Sequence, residues 1–277
     1  MKDIAVYSES FKSWLPHVEY AIRLAAIFGA SVTGVCVCPS LDATMSVYDA
    51  PGLALESIGE ARQLMDDACA AQPSFLALAR ELGVIDAFWQ VADGDIPHSM
   101  QLICNWHDLL VLGRTSRSAW GSPSALGDIM LGCGGAPCLI GPEMRDKPPT
   151  LNRIAIAWNV SAEALKAVHA ALPMLIRAWK VVIFNRGGTQ ASRMEQWLPG
   201  FDLASYLQRR HGVIAETHAL ADRGEGVGSD LLHAAGAMQA DLLVMGGYGH
   251  TRLREWILGG ATKEVLEKTT IPVLMRH

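Results

Sequence analysis

Two stretches of this chain are each written twice. Residues 3–10 (DIAVYSES) are matched by 153–160 (RIAIAWNV), and 108–114 (DLLVLGR) by 241–247 (DLLVMGG). Ile4 precedes Ile154 by 150 residues and Asp108 precedes Asp241 by 133, so the earlier copy holds 17 extra residues between its landmarks. The turn-rich stretch 39–59 is where they belong. Residues 141–150 (GPEMRDKPPT), with their prolines and charges, read as the joint between copies. Within each copy short apolar runs alternate with helical periodicity, the pattern of βαβ units. Such units build a parallel sheet with crossover helices on its faces.

In the first copy we expect strands over 4–7, 32–38, 85–91, 109–112 and 138–140, with helices over 18–28, 60–82 and 96–106. In the second, strands fall at 154–158, 181–184, 213–218 and 242–245, and again from Pro272. Ser161 caps a helix reaching 177, Asp202 caps another that Gly212 stops after His211, and a third runs over 227–239. Five strands per copy give two doubly wound α/β units, 1–143 and 151–277, whose ligands bind beyond the carboxyl ends of the strands.

The 277 residues are 50% hydrophobic and 18% charged, enough apolar material for two cores. A net charge of −5 without a Lys/Arg-rich run argues against nucleic acid as a partner. No apolar run reaches the ~18–20 residues of a membrane span. The first residues, MKDIAVYS, lack the charged and apolar leader of an exported protein, so a cytoplasmic location is expected. The six cysteines lie in the first half, without CxxC or zinc spacing, and are expected to be structural thiols; Cys36 and Cys38 share one strand face.

The chemistry concentrates in DLLVMGGYGHTRLREWILGGATKEVLEKTTIPVLM (241–275). A strand ends in a glycine loop, and a second glycine pair opens a helix. Residues without side chains let backbone N–H groups approach an anion, and the helix N-terminus adds a favourable dipole. The spacing Gly246-x2-Gly249-x9-Gly259, ahead of a helix and an IPVL strand, resembles the nucleotide-phosphate motif of the universal stress protein family. The resemblance implies two tandem Rossmann-like domains of the adenine nucleotide alpha hydrolase-like type. Each has a five-stranded parallel sheet with helices on both faces.

It also implies a stress-response regulator, non-catalytic or weakly hydrolytic, binding ATP (or AMP or ADP), with Mg²⁺ as an optional companion. By the family pattern Ala157, Trp158, Asn159 and Asn185 take the adenine and ribose side. Met245, Gly246, Tyr248, Gly249, His250, Gly259, Gly260, Ala261 and Thr262 take the phosphate side. In the family, partner subunits meet along the last strand, so 272–276 and 137–141 are the expected contact edges. They would serve an intrachain pseudo-dimer and a homodimer of the whole chain.

Two residues depart from the pattern. Gly260 stands where the family has Ser or Thr, and losing that hydroxyl costs about 1.5–3 kcal/mol, or about 10–100-fold in affinity. Asn159 replaces the usual Asp, beside a Trp158 that either stacks on adenine or fills its place. In the first copy, Gly113-x2-Ser116 and Ser122-Pro123-Ser124-Ala125 offer no phosphate cradle, and Arg114 and Arg117 are read as water-facing.

Other readings remain open: glycines that serve only turns and packing, a slow ATPase using His250, or a cavity for a hydrophobic or lipid-like ligand. No catalytic residue or metal site is assigned. Asp93-Gly94-Asp95 is read as a turn before a helix, Ser8 and Glu9 as a ligand contact or a helix cap, and Trp120, Trp179 and Trp197 as packing or interface residues.

Overall fold

Strands made wholly of apolar residues are fit for the middle of a sheet covered on both faces. Leu109–Leu112 and Leu242–Val244 meet that requirement, each at most 1% exposed. The computed structural model describes residues 1–38, 51–114, 122–143, 148–186, 202–247 and 260–277, without the side chains of 51–57.

The first half runs β1 (Asp3–Tyr7), α1 (Pro16–Phe28), β2 (Ser31–Cys38), α2 (Pro51–Ala70), α3 (Gln72–Glu81), β3 (Ala87–Asp93), α4 (Ile96–Cys104), β4 (Leu109–Gly113), α5 (Pro123–Gly132) and β5 (Cys138–Gly141). The second runs β6 (Arg153–Trp158), α6 (Ala162–Leu175), β7 (Lys180–Asn185), α7 (Leu203–His211), β8 (Ala215–Ala219), α8 (Val227–Ala237), β9 (Leu242–Gly246), α9 (Gly260–Lys268) and β10 (Val273–Arg276).

The ten strands form one sheet in the order β3-β2-β1-β4-β5-β10-β9-β6-β7-β8. Every pair is parallel except β5 with β10, which run antiparallel through Ile140↔Val273, Leu139↔Leu274 and Cys138↔Met275. The halves therefore meet along their last strands, as expected of the intrachain pseudo-dimer. That pairing removes the route expected for a homodimer through last strands. β5 is bonded to β4 and β10, and β10 to β5 and β9, so neither has a free edge. The outer strands are β3 and β8.

Strand alternation sends Ile4, Val6, Ile154 and Ile156 into one core, with α1, α3, α6 and α7. Ala5, Leu110, Ala155 and Leu243 enter the other, with α4, α5, α8 and α9. The repeated aspartate has one task in both copies: it ties the start of the fourth strand to the start of the first. Asp108 accepts the Lys2 N–H at 2.6 Å. Asp241 accepts those of Asn152 and Arg153 at 2.9 and 2.8 Å, and the Thr150 hydroxyl at 2.7 Å.

Some boundaries moved. The helix expected over 60–82 is broken at Ala71 into α2 and α3, because Pro73 has no N–H to donate and is tolerated only in a first turn. The third strand begins at Ala87 rather than 85, leaving Ile85 91% exposed. The α2–α3 pair fills the place of the first copy's extra residues, whose stretch 39–50 lies outside the described residues. No helix among the described residues is long and apolar enough to cross a membrane.

Candidate functional site at the carboxyl ends of β6, β7 and β9

A doubly wound sheet opens a crevice where the strand order reverses, which in the second half lies between β6 and β9. Ala157 stands in register with Met245 on β9, and Trp158 with Asn185 on β7. Three adjacent strands thus bring these sequence-predicted residues to one end of the sheet. Pairing exhausts part of what they offer. Met245 is buried in the core shared with α9, and the Asn185 carbonyl accepts the Leu220 N–H at 2.8 Å.

Trp158 packs against the α6 face, whereas Ala157 and α9 belong to the opposite face. The indole therefore does not plug the N-terminus of α9. Asn159 Oδ1 accepts the Ser161 N–H at 3.1 Å, and Ser161 Oγ accepts that of Ala164 at 3.1 Å, starting α6 as the sequence predicts. Between them, Val160 has φ +63°, a left-handed conformation that costs a β-branched residue ~1–2 kcal/mol. Its strain lies in the loop that rims the crevice. Val160→Gly relieves it, and after glycine's greater chain entropy we expect a gain of about 1 kcal/mol, or roughly 2–4 °C in Tm. A lower Tm for this variant would show that the loop is unstrained.

The glycines divide by what surrounds them. A Cβ on Gly246 would lie 2.6 Å from the Ala164 nitrogen and 2.8 Å from the Glu163 carbonyl carbon. This glycine lets the first turn of α6 rest on the end of β9. The Gly247 N–H is already donated to Arg276 O at 3.0 Å, and its Cα faces Met130 and Met275. Gly260 is different: it is exposed, with nothing within 4 Å of an added Cβ among the described residues. It opens α9, whose first N–H groups have no intrahelical partner. Ala261 is half-buried and Thr262 buried. Tyr248, Gly249, His250 and Gly259 lie outside the described residues.

The corresponding crevice of the first half is occupied. His17, at the same helical position as Glu163, is 4% exposed, and its Nε2 donates to Tyr7 O at 2.9 Å. The ring presses on Gly113, and its Cβ would sit 2.6 Å from a Cβ on Gly141. Burial pushes the His17 imidazole down to about 4, against a smaller opposing effect of the bond to Tyr7.

Ser122 caps α5, accepting the Ala125 N–H at 3.3 Å, with Pro123 in the first turn; the segment is a helix start. Arg114 does not face water as expected. Its Nη1 donates to the Leu266 and Glu267 carbonyls at 3.1 and 2.5 Å, capping the C-terminus of α9, and its Nε meets Glu143 at 3.1 Å. Ser116, Arg117, Trp120 and Trp197 lie outside the described residues.

The minor candidates resolve simply. Asp95 caps α4 by accepting the His98 N–H at 3.0 Å, as the turn reading predicts. Ser8 Oγ donates to Ser10 O at 2.6 Å, while α1 starts later, at Leu15, without a side-chain cap. Ser8 is therefore not its cap. The Arg153 guanidinium stacks 5.0 Å from the ring of the exposed Trp179. A cavity of about 490 Å³ opens at the junction of the halves, walled by Asn105, His107, Asp108, His169 and Arg276 among others. Such polar walls do not favour a hydrophobic ligand.

His17 and Val160 are the informative residues that the sequence does not single out, and Arg114 is the one it assigns to the wrong surroundings. An apolar-flanked histidine one residue into a helix gives a weak signal, and neither Val160 nor Arg114 gives any.

Residues 188–277 match the sequence model of the universal stress protein family. A universal stress protein of Synechocystis sp. is 27% identical over 171 residues, covering 60% of this chain and 57% of that relative's length. Among solved structures, a universal stress protein from Archaeoglobus fulgidus superposes with a TM-score of 0.67 at 14% identity, covering 99% of this chain and 95% of its own. A functionally unknown protein from Pseudomonas aeruginosa PAO1 has a TM-score of 0.56 at 14% identity, covering 99% and 92%. At such identities the solved structures speak for the fold alone. With the matched C-terminal sequence, they define an α/β protein of tandem Rossmann-like sheets. Over residues 188–277 the chain is similar to the universal stress protein family, and over its whole length it shares the fold of solved structures of that family.

Proposed function

We propose that the second unit, 151–277, binds ATP or a related adenine nucleotide and acts as a regulator in stress, while the first unit, 1–143, serves as its built-in structural partner. The observation that carries this reading is the exposed Gly260 at the start of α9, the next described element after β9. Backbone N–H groups at a helix start can bond a phosphate, and the helix dipole favours its charge. The spacing Gly246-x2-Gly249-x9-Gly259 supports a phosphate as the anion. Ala157, Asn159 and Asn185 rim the place for the base and ribose, and Mg²⁺ would accompany a triphosphate from solution. In the first unit the corresponding helix opens with Ser122 and Pro123 instead of Gly260 and Ala261, and Pro123 has no N–H to give, which supports a single site per chain.

Thermal unfolding with and without ATP and Mg²⁺ tests the reading. At ~100 times its dissociation constant a ligand adds about 2.7 kcal/mol to the native state, a rise of roughly 5–10 °C. Gly260→Asp should leave the ligand-free protein as stable or slightly firmer, since an acidic residue suits a helix N-terminus, and yet abolish the rise by repelling phosphate. No rise at millimolar ATP would refute nucleotide binding.

A further inference from the structure

The cysteines gather in two groups. Cys36 and Cys38 lie near Cys69, while Cys104, Cys133 and Cys138 form the second group. The Cys104 thiol, in the last turn of α4, donates to Cys133 Sγ at 2.7 Å. Cys133 caps the C-terminus of α5, and its own S–H faces Met100 O at 3.8 Å. Buried thiols ordinarily act as small apolar side chains. These two also line the cavity at the junction of the halves, beside His107 and Arg276. Cys133 is followed by Gly134 and Gly135 at φ +60° and +88°, a segment free of side-chain constraint where sulfur must move. The same loop latches the halves, since Arg276 Nε donates to Gly135 O at 2.6 Å.

We propose that Cys104 and Cys133 form a modification site: a dithiol that hydrogen peroxide, entering by the cavity, closes to an intramolecular disulfide. In the first step the Cys133 thiolate attacks one peroxide oxygen and the O–O bond breaks. Cys133 becomes a sulfenic acid, and the hydroxide released takes up the thiol proton as water. Cys104 sulfur then attacks the Cys133 sulfur, the S–O bond breaks, and the departing hydroxide leaves as water with the Cys104 proton. Two thiols and one peroxide give one disulfide and two waters. The hydrogen bond from Cys104 favours the Cys133 thiolate, but contact with Cys138 and burial outweigh it and keep the thiol above its ordinary range. Closure is correspondingly slow and is favoured by mildly alkaline solution.

The test uses the full-length chain, reduced, exposed to hydrogen peroxide at mildly alkaline pH, alkylated, digested and mapped by mass spectrometry. Peptides bearing Cys104 and Cys133 should become joined with loss of two hydrogen atoms, and dithiothreitol should separate them. Cys36 and Cys38, which do not line the cavity, should remain alkylatable once the protein is unfolded. Cys104→Ser should leave a Cys133 sulfenic acid that dimedone traps, or a bridge to Cys138, and Cys138→Ser should keep the Cys104–Cys133 bridge. Wild-type mapping needs no variant, and Cys104→Ala replaces the serine form if that one fails to fold. Retention of both thiols under peroxide that oxidises the unfolded chain would overturn the proposal. So would bridges only between molecules, or oxidation of Cys36 and Cys38 to the same extent.

Discussion

Gly246→Ala should lower the stability of the ligand-free protein by about 3 kcal/mol, the upper part of the range for overpacking a tight site. The added methyl would meet the Ala164 nitrogen at 2.6 Å and the Glu163 carbonyl carbon at 2.8 Å, and both are backbone atoms that move only if α6 moves. Gly246 is not at positive φ, so its backbone accepts alanine and the whole penalty is steric. Gly260→Ala is the internal contrast. Its Cβ meets none of the described residues, and replacing glycine in a helix gains up to about 1 kcal/mol. Denaturant unfolding of the two variants beside the parent decides the matter. Equal stability of Gly246→Ala and the parent would mean that α6 does not rest on β9. The contrast also bears on function: loss of ligand binding in a Gly246 variant reports a displaced helix, whereas loss in a Gly260 variant reports the anion site.

Acid should unfold the protein through His17. Its folded-state value near 4 lies below the ordinary 6.5, so between these limits the unfolded chain binds the extra proton. The contribution is complete above about pH 6.5 and is lost progressively as pH falls towards 4, amounting to about 3 kcal/mol over the window. The structural cause is specific. Nε2–H is committed to Tyr7 O, so an added proton must go to Nδ1, which is buried against Gly113. His17→Gln can keep a donor for Tyr7 O but has nothing to titrate. Its stability, measured from pH 7 to about 4.5, should therefore fall about 2–3 kcal/mol less than the parent's. Parallel curves for the two proteins would place the acid sensitivity elsewhere.

Much of the architecture was legible in the chain because it rests on local rules. Apolar runs bounded by glycine and proline marked the strands, and Ser161, Asp95 and Asp202 announced helix starts by the hydrogen bonds their side chains accept. Gly212, at φ +69°, closed α7 where the pattern said it would. Even the break between α2 and α3 is written in Pro73, which suits only the first turn of a helix.

The candidate site was legible only as a spacing. Glycine in a strand–loop–helix motif is compatible with an approaching ligand and with an approaching helix, and the letter is the same for both. In the tertiary structure Gly246 makes room for the helix, whereas Gly260 is exposed and crowded by none of the described residues. Arg114 likewise gives no local hint that it caps α9, more than a hundred residues away in the chain.

By itself, then, the sequence determined the repeat, the order of elements and the hydrophobic faces, because these follow from periodicity and capping within a few residues. The tertiary structure alone decided that β5 and β10, the edges that the resemblance marked for contact, pair antiparallel into one ten-stranded sheet, that His17 fills one crevice, and that thiols from α4 and α5 come to share a cavity. Each of these depends on which distant surfaces meet, and packing between remote segments leaves no trace in local pattern.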